Sequence, residues 1–445
     1  MTSEPSSPDD HGTSLDRGYE TGDDYYNPPE FWLPRIRVLC QVLWPSAAYE
    51  ETAIAFIADG ENNKVFALTI AEPEDQHVGR REYVLRLPEL EHDVLQAVGV
   101  SRYLRRQLLS GSEDSLALVS KIPQVVRWDH TRNNALQYPY IIANRMPGIN
   151  LETCWDRLGW GQRVSVAREI SHVYSQLRSL RSPVAGKIQV SCAAESIEEP
   201  VERPEKLVEV KPFGETGCQG VSCVNGFSNI EDTTLHHPSH ARAESSSGKV
   251  VIATVRRRFE ALYHGSSDAS TRSTVASSYE RLLAVVEDMH GRGDFDDEDG
   301  IYCLSHLNIQ PNNILIDIGD GSQPRITGIL GWGAPVFGPS FLAAEPPEWL
   351  WSEARSAERA PENRHIAPQI RGQVQGSDML TGNSRIRRAF EDVVGSGWVR
   401  QAYSPESAIA RRILILCTAD KWGAGQWHEV EDIFRAWEGT FERKH

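Results

Sequence analysis

Residues 302 to 333 constrain this chain more than any other stretch. Three short apolar runs, YCL, NILID and RITGIL, are separated by polar turns, and the first turn reads His306-Leu307-Asn308-Ile309-Gln310-Pro311-Asn312-Asn313. Runs of this length bounded by Gly, Pro, Asn and Asp read as short strands. The last run closes on Gly331-Trp332-Gly333. A histidine and three asparagines are thereby placed between adjacent strands, an arrangement that calls for chemistry or for a turn built on polar side chains.

The surrounding pattern divides the chain in two. From Thr52 to Leu87 the β-rich runs TAIAFI, KVFALTI and EYVLRL are broken by DGENN and by a polar stretch at 71–82, which predicts a small antiparallel sheet. Val94, Val98 and Leu104 then recur at helical spacing, and IPQVVRW and YPYIIANRM read as two further strands. After Met146-Pro147-Gly148 helices take over, with apolar stripes at Val166, Ile170, Val173, Leu177 and Leu180 and at Tyr279, Leu282, Leu283, Val286 and Met289. Residues 184–248, rich in Ser, Glu, Pro and Gly, read as an insertion or loosely packed loop region. Ser404 followed by Pro405 starts a late helix as N-cap and first-turn residue. Order is expected to begin near Phe31 and Trp32, because residues 1–28 hold too little apolar surface to offset the entropy of ordering them.

The segment H-L-N-I-Q-P-N-N-I-L-I-D followed by R-I-T-G-I-L-G-W-G resembles the aminoglycoside phosphotransferase and choline-kinase-like family, whose hallmark reads H-G-D-x-x-x-x-N-I-L-x-D and then x-G-I-I-D-W. The resemblance extends from about residue 31 to the end of the chain. DGENNKVFALTI is similar to that family's nucleotide-loop hairpin, with Asn62 and Asn63 at its turn. YVLRLP is similar to its third strand, YIIANRMPG to its lobe-joining hinge, and PEWLW with the terminal helices to a branch common in filamentous fungi. The resemblance implies an α+β, protein-kinase-like two-lobe fold. Residues 29–145 would form a small antiparallel β N-lobe and residues 146–445 a larger, mainly helical C-lobe, with ATP held between the lobes.

The same resemblance implies roles for single residues. Phosphoryl transfer needs a carboxylate near the acceptor hydroxyl and magnesium held by carboxylate and amide oxygens. His306 and Asn313 match the family's motif, Asn313 as a metal ligand. Asn308, however, stands where the catalytic Asp is expected, and Gly331 where the metal-binding Asp is expected. An amide cannot act as a carboxylate base, a role worth ~10²–10⁴ in rate, or roughly 3–5.5 kcal/mol of barrier. Arg86 replaces the basic Lys of the third strand. The acid that would pair with Arg86 falls near Gln96 or Ala97, with Glu91 or Asp93 as substitutes one turn away.

Other patterns compete with this reading. Cys218, Cys223, His236 and His240 form C-x4-C-x12-H-x3-H, a spacing that meets a two-Cys, two-His zinc site. Pro238 between the histidines would break the helix that presents them, so the spacing is better read as a flexible insertion. The acidic run from Asp294 to Asp299 lacks the Gly and closing Glu of a calcium loop and reads as a solvated turn. Asp317 reads as a strand-end carboxylate. A net charge of −16 argues against a nucleic-acid partner, and no apolar stretch is long enough to span a bilayer. A chain without signal peptide and with seven scattered cysteines is expected in the cytoplasm. Three functions are therefore expected, in this order: a kinase-fold pseudoenzyme with a binding or regulatory role, a slow ATP- and magnesium-dependent phosphotransferase acting on a small hydroxylated molecule, and a zinc-dependent interaction module at 218–240.

Overall fold

The computed structural model describes residues 23–47, 52–60, 63–74, 77–89, 93–111, 113–191, 202–213, 246–266, 268–295, 301–319, 323–351, 382–419 and 422–441. Residues 1–22, Asn62, Glu91 and the zinc pattern Cys218, Cys223, His236 and His240 lie outside these. The contacts divide the chain into two compact units, Met1–Val94 with Arg127–Ile142, and Leu95–Val126 with Ala143–His445.

In the first unit, helix α1 (Pro29–Leu43) starts with proline at its first position, where a missing N–H costs nothing. It buries Trp32, Ile36, Leu39 and Cys40, one stripe of its surface. Strands β1 (Ala53–Asp59), β2 (Asn63–Glu74), β3 (His77–Pro88), β4 (Val125–Asp129) and β5 (Tyr140–Asn144) form one sheet in the order β1-β2-β3-β5-β4. Register sorts its side chains. Val65 lies opposite Arg86 and Lys64 opposite Leu87, and cross-strand partners share a face. One face therefore carries Phe66, Leu68, Ile70, Leu85 and Leu87, all buried, and the other carries Arg86. Lys64, on the apolar face, is buried yet held 2.8 Å from Asp59 and 5.0 Å from the ring of Tyr25. Tyr25 sits in a single helical turn, Asp23–Tyr26. Burial, with the nearby carboxylates of Asp59 and Glu89, pushes its hydroxyl up to about 12.

The second unit holds helices α2 (Asp93–Leu109, entering it at Leu95) and α3 (Glu113–Val119), then β6 (Ile149–Asn150), α4 (Leu151–Cys154), α5 (Trp160–Ser179), β7 (Arg181–Ser182), β8 (Gly186–Val190) and β9 (Val208–Pro212). It continues with α6 (Ser247–Gly265), α7 (Ala269–Gly291), β10 (Tyr302–Ser305), β11 (Ile314–Asp317), β12 (Arg325–Ile329), β13 (Val336–Gly338), α8 (Gly382–Tyr403), α9 (Pro405–Thr418) and α10 (Ala424–Phe441). The strands form two small sheets, β7-β10-β13-β8-β9 and β12-β11-β6. The stripe Val166, Ile170, Val173 and Leu177 of α5 and the stripe Leu282, Val286 and Met289 of α7 are buried in one core. Ser404 caps α9 by accepting from the Ser407 N–H, as the Ser-Pro pair predicts.

The α+β class and the helical second half agree with the sequence. Two boundaries differ from it. Residues 95–126, expected within the β-rich lobe, group with the helical unit. Within 184–248, expected to be loosely packed, β8 and β9 pair over five residues each, from Gly186↔Pro212 to Val190↔Val208. Alternation in β8 buries Gly186, Ile188 and Val190, a signal too short to stand out from the polar residues around it.

Candidate functional site

The site is the loop that runs from β10 to the end of β12, all within the second unit. His306 follows directly on β10 and is 3% exposed. Its Nε2 lies 3.0 Å from the Leu330 carbonyl, which can only accept, so that nitrogen carries the proton. Its Nδ1 then accepts from the Asn308 N–H at 3.3 Å. The ring is neutral, and burial pushes its pKa from the ordinary 6.5 down to about 4 against the opposing effect of the backbone bonds. Trp332 stands edge-on to it, 4.5 Å between centroids, and ties itself down by donating from Nε1 to the Ile329 carbonyl at 2.7 Å.

Leu330 is tied a second time, through its N–H to the Asn313 carbonyl at 2.8 Å. Asn313 Nδ2 donates to the Asn308 carbonyl at 3.1 Å, which leaves its Oδ1 as the free ligand atom of that side chain. The loop is braced from outside as well, because Asn150 Nδ2 donates to the Asn312 carbonyl at 2.8 Å. The sequence therefore brings His306, Asn308, Asn313 and Gly331 together. Asn308 is exposed and makes these bonds through its main chain alone.

Gly331 has φ +81°, a left-handed conformation that glycine adopts without cost and Asp or Asn best among the others. A Cβ there would lie 3.0 Å from Asn313 Nδ2. The backbone thus leaves only a tight place for a side chain beside Asn313. Asp317, at the far end of β11, is four residues from Asn313, on the order of 13 Å along an extended strand, too far to share one metal ion with it. Among the described residues no cluster of three or more His, Cys, Asp or Glu is placed to hold a metal. With Gly331 bare and Asp317 out of reach, the loop does not fit a magnesium site of the usual carboxylate kind.

Beside the loop, β10 and α5 enclose a cavity of about 180 Å3. Tyr174, Ser305, Leu307, Gln310, Glu345 and Trp349 are among the residues lining it. Ser305 and Tyr174 bring hydroxyl groups to this lining. Trp349 packs edge-on against Trp155 and donates to the Ile309 carbonyl at 2.9 Å, so it is a wall of this cavity as well as a packing residue. Sequence reasoning missed this cavity because its residues come from three separate segments with no shared spacing.

Of the remaining candidates, Arg86 and Asn63 belong to the first unit and Gln96 to the second. Arg86 is half-buried, and burial lowers its pKa against the opposing charge of Asp93. Asn63 closes the β1–β2 turn through its carbonyl, which accepts from Gly60 N–H at 2.8 Å. Gln96, the place where an acid was expected, is engaged elsewhere. Its Oε1 accepts from Val190 N–H at 2.8 Å and its Nε2 donates to the Ile188 carbonyl at 3.0 Å.

No family model matches the chain. A curated protein, altered inheritance of mitochondria protein 9, mitochondrial, from Debaryomyces hansenii, is 27% identical over 134 residues, 30% of this chain. That match spans only 18% of the relative's own length. Among solved structures, the GDP complex of a mutant aminoglycoside 2'-phosphotransferase-IIIa is 13% identical at a TM-score of 0.44, over 93% of this chain and 99% of that one. ADP-bound aminoglycoside phosphotransferase APH(2'')-Ib is 10% identical at 0.44, over 91% and 97%. Macrolide 2'-phosphotransferase MphH from Brachybacterium faecium is 14% identical at 0.37, over 88% and 97%. With a five-stranded sheet in one unit and a mainly helical second unit, the chain has the α+β make-up of a protein-kinase-like fold.

Proposed function

We propose that this chain is a kinase-fold pseudoenzyme of the aminoglycoside-phosphotransferase type, which binds a small molecule and does not transfer phosphate at an enzyme's rate. One observation carries the reading: the hydrogen-bonded frame of the catalytic loop is complete, while the two carboxylates it would present are Asn308 and Gly331. Losing the base alone is worth ~10²–10⁴ in rate. The cavity beside the loop, with the hydroxyl-bearing Ser305 and Tyr174 in its lining, supports a binding role. The free Oδ1 of Asn313 favours a second reading, a slow ATP-dependent phosphotransferase acting on a small hydroxylated molecule.

The thermal midpoint of the purified protein with millimolar ATP, with and without magnesium, separates the two. A ligand at ~100 times its dissociation constant stabilises the folded state by about 2.7 kcal/mol. A magnesium-dependent rise favours the slow enzyme; a magnesium-independent rise, or none, favours the pseudoenzyme. The double variant Asn308→Asp with Gly331→Asp is then expected to acquire magnesium dependence that the natural chain lacks. As to compartment, the sequence reading is cytoplasmic, whereas the printed name of the relative includes the word mitochondrial. No helix among the described residues is long and apolar enough to cross a membrane. Fractionation of cells expressing the tagged chain would decide between the two compartments.

A further inference from the structure

We propose that the side-chain amide of Gln96 serves as a surrogate strand, and that it anchors a brace fixing helix α2 to the β8–β9 hairpin and to the turn after Gly331. On one side β8 is paired with β9 along its whole length. On the other side β13 reaches only Gly186 and Lys187, with one further bond from Ile188 N–H to the Pro335 carbonyl. Beyond that point the Ile188 carbonyl and the Val190 N–H would be left open. They are the acceptor and donor, two residues apart on the same edge, that a neighbouring parallel strand engages with a single residue. Gln96 meets both, accepting at 2.8 Å and donating at 3.0 Å, and its Nε2 also lies 3.4 Å from the Gly333 carbonyl.

Two further positions on the same helix face complete the brace, since residues three apart are neighbours there. Gly99 brings α2 so close to the hairpin that a Cβ would stand 2.7 Å from Val190 Cγ2 and 3.2 Å from Val208 Cγ2. Arg102 donates to the Glu202 carbonyl at 3.3 Å and lies 3.9 Å from the Glu205 carboxylate. An amide, a close approach and a cation in one row tie α2 to a single hairpin and its connecting segment. The helix thereby offers an amide in use at the place where a carboxylate was expected, and any shift of the Gly331–Gly333 turn is felt at α2. Gln96 is thus a positioning residue whose work is done by its two polar atoms, not by its bulk.

Amide hydrogen exchange tests this, read as the ratio of the Val190 rate to that of Val286 in the buried core of α7, so that global destabilisation cancels. Gln96→Met keeps the shape and removes both bonds, and the ratio is expected to rise roughly tenfold, as for one lost hydrogen bond. Gln96→Glu keeps an oxygen to accept from Val190 N–H and should hold the ratio within about threefold of the natural protein. An unchanged ratio in Gln96→Met, or equal losses in Met and Glu, overturns the proposal. Should Gln96→Met fail to fold, Arg102→Met acts on the far end of the same brace. A rise in its ratio of about threefold supports the brace, and an unchanged ratio refutes it.

Discussion

The inner and outer sides of the 306–333 loop differ in completeness. On the inner side every polar group of His306 is matched, Leu330 is bonded through both its N–H and its carbonyl, and Trp332 closes the ring. On the outer side Asn308 is exposed and bonds through its main chain, and Gly331 presents nothing. The difference teaches that the frame of this loop and the side chains it displays are held by separate interactions. The bonds of the frame run through the His306 ring, Leu330 and main-chain atoms of Asn308, and none passes through the Asn308 side chain or needs a side chain at 331.

By that contrast, inner substitutions are expected to cost stability and outer ones are not. Trp332→Ala is expected to cost about 3–5 kcal/mol, seen as a shifted urea midpoint, and a loss below about 1 kcal/mol would mean the ring is not a strut. Acid should attack the same place. His306 has its pKa depressed from 6.5 to about 4, so its stabilising contribution is complete above pH 6.5 and is lost as pH falls through 4. The full loss is roughly 3 kcal/mol, checked by urea titrations between pH 7 and 4 with a His306→Gln variant whose slope should be shallower. Gly331→Ala sits at the junction of the two sides and should cost about 1 kcal/mol or more, because φ is positive and Asn313 is close. Asn308→Ala should change stability by less than about 0.5 kcal/mol, and a larger change in its thermal midpoint would show that the outer side also holds the fold.

That His306, Asn308, Asn313 and Gly331 meet in one loop was legible in the sequence, because it depends on residue identity at fixed spacing. So were the stripes of α5 and α7 and the Ser404 cap, where periodicity and a single side chain carry the signal. The part of the site that was not legible is made of main-chain atoms. Nothing in the letter Leu at 330 announces that its carbonyl fixes a histidine tautomer. Gln96 was read as a missing acid for the same reason, since a side-chain amide acting as backbone leaves no period to detect. Helix α1 was seen only as the onset of order at Phe31 and Trp32, its pattern obscured by Pro29 and by Pro34 within the helix. The β8–β9 hairpin was hidden by the polar composition on either side of it.

The lysine beneath Tyr25 bears on where this protein can be cut. Lys64 is one of the few charges enclosed on the apolar side of the small sheet, with Asp59 on one side and the Tyr25 ring on the other. A shortened chain that begins at Pro29, the natural place to trim from helix boundaries, would uncover that ammonium group and remove its aromatic neighbour. A shortened chain that begins at Asp23 keeps both, so the six residues from Asp23 to Pro28 belong to the domain although none lies in an α-helix or strand.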